Sequence, residues 1–265
     1  MNRIDKLFAQ KNKNVLGVYY TAGFPELNST STILSELQNS GVDMIEVGMP
    51  FSDPLADGPV IQESSSVALE GGMSIRKLFA QLKTMRETIH VPVVLMGYLN
   101  PVLQFGFEKF MRHCADCGID GLILPDLPIE EFENAYRPFF EVHGVHPIFL
   151  ISPRTPAERV KKIAGLSKGF VYLVSSSSTT GTAGEFSQEQ KNAIQRTSEL
   201  VNKIPVVVGF GIHNGKTFHD ATDHTNGGIV GTAFIMQLQS SPDIQTAVRN
   251  TMNQLNITQY DRSTY

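Results

Sequence analysis

Eight short apolar runs rich in β-branched residues, each followed by a Gly/Pro/Asp loop and then an amphipathic stretch, constrain this chain more than anything else in it. The runs are VLGVYY (15–20), VDMIEVG (42–48), VPVVLM (91–96), IDGLILP (119–125), VHPIFLI (145–151), GFVYLVS (169–175), IPVVVGF (204–210) and GGIVG (227–231). Their nearly unbroken apolar character fits strands of a parallel sheet buried on both faces; a sheet with one wet face would alternate. Between them lie helical patterns. TSTILSELQNSG (30–41) puts Ile33, Leu34 and Leu37 on one face, with Gly41 as its stop and Asn28, Ser29 or Thr30 as its cap.

Eight alternating strand–helix units without a linker or low-complexity stretch predict a single (β/α)₈ TIM barrel, one α/β domain over residues 1–265. The competing open, doubly wound sheet would carry GxGxxG after its first strand, where this chain reads TAGFPE (21–26). MNRIDKLFAQ predicts an extra N-terminal helix able to cover the barrel floor. A formal charge of −4 gives no broad attraction to nucleic acid or anionic lipid. The N-terminus lacks the long apolar segment of a secretory signal, and no uncharged apolar run reaches membrane-spanning length; a cytoplasmic protein is expected. Cys114 and Cys117 form a CxxC at the end of a helical pattern that Gly118 terminates. A redox pair wants the opposite helix end, and zinc would need two further ligands, so buried thiols are expected and no metal.

Barrel chemistry sits on the loops at the C-terminal strand ends. In IEVGMPFSDPLADGPVIQESS (45–65), Glu46 falls inside a strand, where a carboxyl must be neutralised, paired or used. Burial would raise its pKa toward neutrality, which suits proton transfer; a hydrated Glu at the strand's end is the plain alternative. The following loop carries Asp53 and Asp57 among prolines, with Gly58 available for a sharp turn; by residue type alone both are better explained as turn residues. At the other end of the chain, SSSSTTG (175–181), GFGI (209–212) and GTAF (231–234) follow the last three strands. Gly211, with Gly231 and Thr232, stands where barrels commonly bind phosphate, on the loops after strands 7 and 8; glycines that merely turn the chain are the alternative.

GMPFSDPLADGPVIQ (48–62) resembles the signature of tryptophan synthase α subunits. The similarity continues in the same order through YYTAGFP (19–25), VLMGYLNPVLQFG (94–106), ILPDLPIEE (123–131), FVYLVSSSSTTG (170–181), VVGFGI (207–212) and GIVGTAF (228–234). The resemblance implies cleavage of indole-3-glycerol phosphate to indole and D-glyceraldehyde 3-phosphate, without metal or cofactor. It further implies transfer of indole to a β subunit within an α₂β₂ assembly. Glu46 and Asp57 take the positions of the family's catalytic acids. Tyr19, Met96, Ile123, Tyr172 and Thr180 match substrate-contacting positions, and Gly181 joins Gly211, Gly231 and Thr232 as phosphate ligands. Asp53, Asn100 and Pro101 match the face toward the β subunit, and the spacing of NPVLQFG (100–106) reads as too irregular for a helix. One departure is visible. Many relatives carry a glycine two or three residues before the Thr180–Gly181 pair, where this chain has Ser175 to Ser178.

Three alternatives stay open. A stand-alone indole-forming lyase would not need a docking surface. Another phosphosugar barrel, such as an isomerase or aldolase, is the second; a Schiff-base aldolase would need a strand-borne lysine, and none of the eight runs carries one. A barrel acting only as a binding partner would not need both carboxylates.

Overall fold

The computed structural model describes residues 1–174, 185–201 and 203–256. Among the described residues nine parallel strands surround the core: β1 (Val15–Thr21), β2 (Met44–Gly48), β3 (Val93–Met96), β4 (Gly121–Ile123), β5 (His146–Ile148), β6 (Leu150–Ile151), β7 (Val171–Val174), β8 (Val206–Gly209) and β9 (Gly227–Val230). Their order is β5-β4-β3-β2-β1-β9-β8-β7-β6. Every predicted run therefore forms a strand, and only VHPIFLI is divided, at Phe149. The two ends of the sheet are the two halves of that run: Ile148 is in register with Ile123 of β4, and Leu150 with Tyr172 of β7. The sheet thus closes on itself, with Pro147 supplying no N–H to the ladder.

The strands are buried almost throughout, β1 and β2 at every residue. Helices cover them outside: α1 (Arg3–Gln10), α2 (Ser29–Asn39), α3 (Pro59–Glu70), α4 (Ile75–Leu82), α5 (Leu99–Phe105), α6 (Phe107–Cys117), α7 (Ile129–Glu131), α8 (Arg137–His143), α9 (Ala157–Leu166), α10 (Gln188–Leu200), α11 (Gly215–Thr222), α12 (Thr232–Ser240) and α13 (Ile244–Leu255). As expected, α1 closes the floor. Asn2 caps it, Ile4 is fully buried, and Arg3 pairs at 3.1 Å with Asp120 just before β4. Asp120 also accepts from Arg86 and from the Val93 amide, so this buried carboxylate is paired and bonded.

Three local expectations change. NPVLQFG is helical, forming most of α5, with Val102 buried. Pro101 lies in the first turn, where its absent N–H would have had no partner, and both carboxylate oxygens of Asp126 accept from the Leu99 amide. Gly58 does not use its freedom; it has φ −74° and is the cap before Pro59, which opens α3. Asn28 occupies the cap position of α2 without a side-chain bond, while Thr30 accepts instead from the Gly23 amide at 3.1 Å. Cys114 and Cys117 are buried free thiols at the end of α6, which Gly118 terminates with φ +73°. Among the described residues no helix is long and apolar enough to cross a membrane.

Candidate active site

Glu46 lies in the middle of β2, 1% exposed, and neither carboxylate oxygen has a hydrogen-bond partner among the described residues. The strand places it there by period: Met44, Glu46 and Gly48 share a face, and Glu46 is in register with Tyr19 on one side and Val94 on the other. Burial pushes its pKa up to about 8, and the nearby Asp57 carboxyl adds to the rise. At neutral pH such a group is mostly protonated and ready to give up its proton.

Asp57 comes from the loop between β2 and α3. Two tight turns shape that loop, Leu55 donating to the Asp53 carbonyl and Asp57 to that of Pro54, and the Gln62 side chain donates to the Asp57 carbonyl at 2.8 Å. Half-buried, Asp57 is raised to about 6 by burial, a rise held back by the Tyr98 hydroxyl, which donates to Oδ2 at 3.2 Å. At neutral pH it is mostly ionised. Neighbouring carboxyls thus rest in opposite protonation states, the condition for pairing an acid with a base in one site.

The walls are phenols and alkyl groups. Tyr19 of β1 and Tyr172 of β7 are buried, and both phenols are raised by loss of solvent and by the Glu46 and Asp57 carboxyls. Their oxygens lie over Gly48 and Gly209, where any Cβ would overlap the rings. Met96 and Ile123 end β3 and β4 in mutual register, with Met96 also beside Gly48. The structure therefore brings Glu46, Asp57, Tyr19, Tyr172, Met96 and Ile123 to one barrel mouth.

Beyond β8, Phe210 and Gly211 both take positive φ, +71° and +79°, and Gly211 is exposed. Beyond β9, Gly231 is the cap residue of α12 without a side-chain bond, and Thr232 is that helix's exposed first residue. Gly209 and Ile229 are register partners, so the two glycine loops leave the barrel side by side. Backbone N–H groups at a helix start favour an anion there. Thr180 and Gly181 lie outside the described residues. Among the described residues no cluster of His, Cys, Asp or Glu is placed to hold a metal.

Asp53 is exposed on the Asp57 loop, Asn100 is exposed on α5, and Pro101 beside it is half-buried. Tyr98, immediately before α5, ties the two segments together: the Ala56 amide donates to its hydroxyl at 3.0 Å. The sequence motifs do not single out Tyr98. Its one sequence signal is its place just past a strand end, shared with many pocket-lining residues.

A family model described as tryptophan synthase alpha chain matches residues 6–262. The chain is 51% identical over 238 residues to a tryptophan synthase alpha chain of Flavobacterium psychrophilum, covering 90% of this chain and 94% of that one. It is 44% identical over 248 residues to one of Bacteroides thetaiotaomicron, covering 94% and 97%. Among solved structures, the tryptophan synthase subunit alpha of Legionella pneumophila superposes with a TM-score of 0.86 at 34% identity, over 98% of this chain and 99% of that one. A chain of the aminoacrylate-bound tryptophan synthase of M. tuberculosis gives 0.84 at 30% identity, over 97% and 99%.

Proposed function

Because the chain belongs to the tryptophan synthase α-chain family, we propose that Glu46 and Asp57 perform the acid–base chemistry of that family's reaction. The family is the α subunit of tryptophan synthase and carries out the indole-3-glycerol phosphate cleavage half-reaction, a carbon–carbon lyase step of tryptophan biosynthesis. Membership implies a β-subunit partner. The observation carrying the catalytic assignment is the Glu46 carboxyl, buried and without a hydrogen-bond partner among the described residues, near a second carboxyl that prefers the other protonation state.

The reaction needs two proton carriers. Glu46, protonated, gives its proton to indole C3 while Asp57, ionised, accepts the N1 proton. The glycerol hydroxyl next to the ring then passes its proton to the Glu46 carboxylate as the bond from C3 breaks. Its electrons return to the ring, N1 recovers the proton from Asp57, and indole and D-glyceraldehyde 3-phosphate separate. Both residues finish in their starting states. Each such transfer contributes typically about 10² to 10⁴ in rate. Tyr19, Met96, Ile123 and Tyr172 would enclose the indole ring, with Thr180 added by resemblance. Gly211, Gly231 and Thr232, with Gly181, would hold the phosphate and so fix C3 beside Glu46. A substrate spanning both ends is oriented before any proton moves.

The partner face proposed is that of Asp53, Asn100 and Pro101, giving an α₂β₂ assembly that receives the indole. Supporting it, apolar side chains stand in solvent there: Leu55 is 95% exposed on the Asp57 loop and Leu103 45% exposed on α5. The whole chain is read as one domain working in the cytoplasm, with no nucleic-acid role at a net charge of −4. Mixing the purified chain with indole-3-glycerol phosphate and following indole tests the proposal. Slow indole release, accelerated by a β subunit, is expected. Full speed alone would make it a stand-alone lyase, and no indole under either condition would overturn the assignment.

A further inference from the structure

We propose that Tyr98 is a positioning residue that holds Asp57 as the proton acceptor of the site. The inference rests on the role given to Asp57 above and extends it to a side chain whose hydroxyl bonds that carboxylate and its loop.

The geometry is specific. The Tyr98 hydroxyl oxygen accepts from the Ala56 amide at 3.0 Å, so its own single hydrogen is left for Asp57 Oδ2 at 3.2 Å. Two consecutive loop residues, one by backbone and one by carboxylate, are therefore attached to one phenolic atom. The phenol itself has little freedom. Tyr98 is 8% exposed, and its ring packs on Phe51 with centroids 5.3 Å apart. Its backbone enters α5, whose first amide is gripped by both oxygens of Asp126. A rigid donor thus reaches from the third strand's end to a carboxylate on the loop after the second strand.

Its electrostatic consequence has a definite sign. Facing Asp57 and Tyr98 are Glu46 from β2, Tyr19 from β1, Tyr172 from β7 and Asp126 from the loop after β4, all acids or phenols. None of these favours a carboxylate. A hydrogen bond donated to the ionised form does, and the Tyr98 hydroxyl supplies it, opposing the rise that burial imposes on Asp57. Without it a larger share of Asp57 would be protonated at neutral pH and unable to accept the substrate's proton.

The test uses Tyr98→Phe in the full chain with its β subunit, which deletes the hydroxyl and keeps the ring against Phe51. Indole formation is measured from pH 5 to 9, and the Asp57 carboxyl is titrated by ¹³C NMR, its signal identified by loss in Asp57→Asn. We expect kcat to fall about tenfold or more, the range of a hydrogen bond to a charged group, with KM changed less than about threefold. The acid limb of the rate profile and the Asp57 titration should both move upward by about one pH unit. Placing 3,5-difluorotyrosine at position 98, a stronger donor, should move both downward. An acid limb and a titration that stay in place would overturn the proposal, as would a rise in KM alone, which a mere brace for the loop would give. Wild-type turnover in Asp57→Asn would instead overturn the assignment of Asp57, while leaving the NMR titration to report the contact itself.

Discussion

Tyr19 and Glu46 are register partners on adjacent strands, so a phenol and a carboxyl rise from the same level of the barrel interior. Gly48, the next inward position above Glu46, leaves the space into which the Tyr19 phenol extends. Tyr19 directs its oxygen toward Thr21, at 3.5 Å, and Thr21 is joined to Ser64 of α3 at 2.7 Å. Among the described residues no group bonds the Glu46 carboxyl, and its raised proton affinity follows from that burial.

The pH dependence of kcat/KM should be a bell. Activity needs Asp57 ionised and Glu46 protonated, so the rate rises through about 6 and falls through about 8. Because the carboxyls interact, the limbs belong to the pair. A profile flat from pH 5 to 9 would contradict the assignment of both groups.

Stability should respond to pH through the same carboxyl. Glu46 holds its proton more tightly in the folded chain, about 8 against an ordinary 4.5. Its contribution is complete below the ordinary value and is lost as pH rises through the folded one, on the order of a few kcal/mol in all. Glu46→Gln removes that loss. The melting temperature of the variant relative to wild type should therefore climb between pH 6 and 9; a constant difference would show that Glu46 is not buried as described.

Gly48→Ala should damage the site by shape alone. A methyl at this position overlaps the Tyr19 ring, and the ring has a full barrel around it. Overpacking of this kind costs about 1–3 kcal/mol. Urea unfolding should show that loss, together with reduced indole formation, whereas a wild-type midpoint would mean that the ring relocates freely.

Asp126→Ala should loosen α5. The carboxylate serves as that helix's cap from another loop, and cap removal costs about 1 kcal/mol. Hydrogen exchange at Leu99 and Asn100 should accelerate while the strands stay protected. Unchanged exchange would leave Asp126 without a capping role.

The barrel was legible because its strands are buried on both faces and so print continuous apolar runs into the sequence. Glu46 was marked as a carboxyl in the middle of such a run, whereas Asp43 and Asp120 stand at the starts of theirs, and the floor helix was marked by its position before β1. The helical state of residues 99–105 was not legible, since the bond that stabilises its start comes from Asp126, 27 positions away. The role of Tyr98 was hidden for the same reason, its contact with Asp57 spanning 41 positions. Local pattern reports period and burial, whereas these features depend on which loops the closed barrel brings together.

The most direct test is single-turnover conversion of indole-3-glycerol phosphate by Glu46→Gln, with substrate affinity measured in parallel. The isosteric amide can neither give nor take the required protons. Affinity should remain near that of wild type while indole formation drops at least ~10²-fold; turnover within a few-fold of wild type would contradict the account.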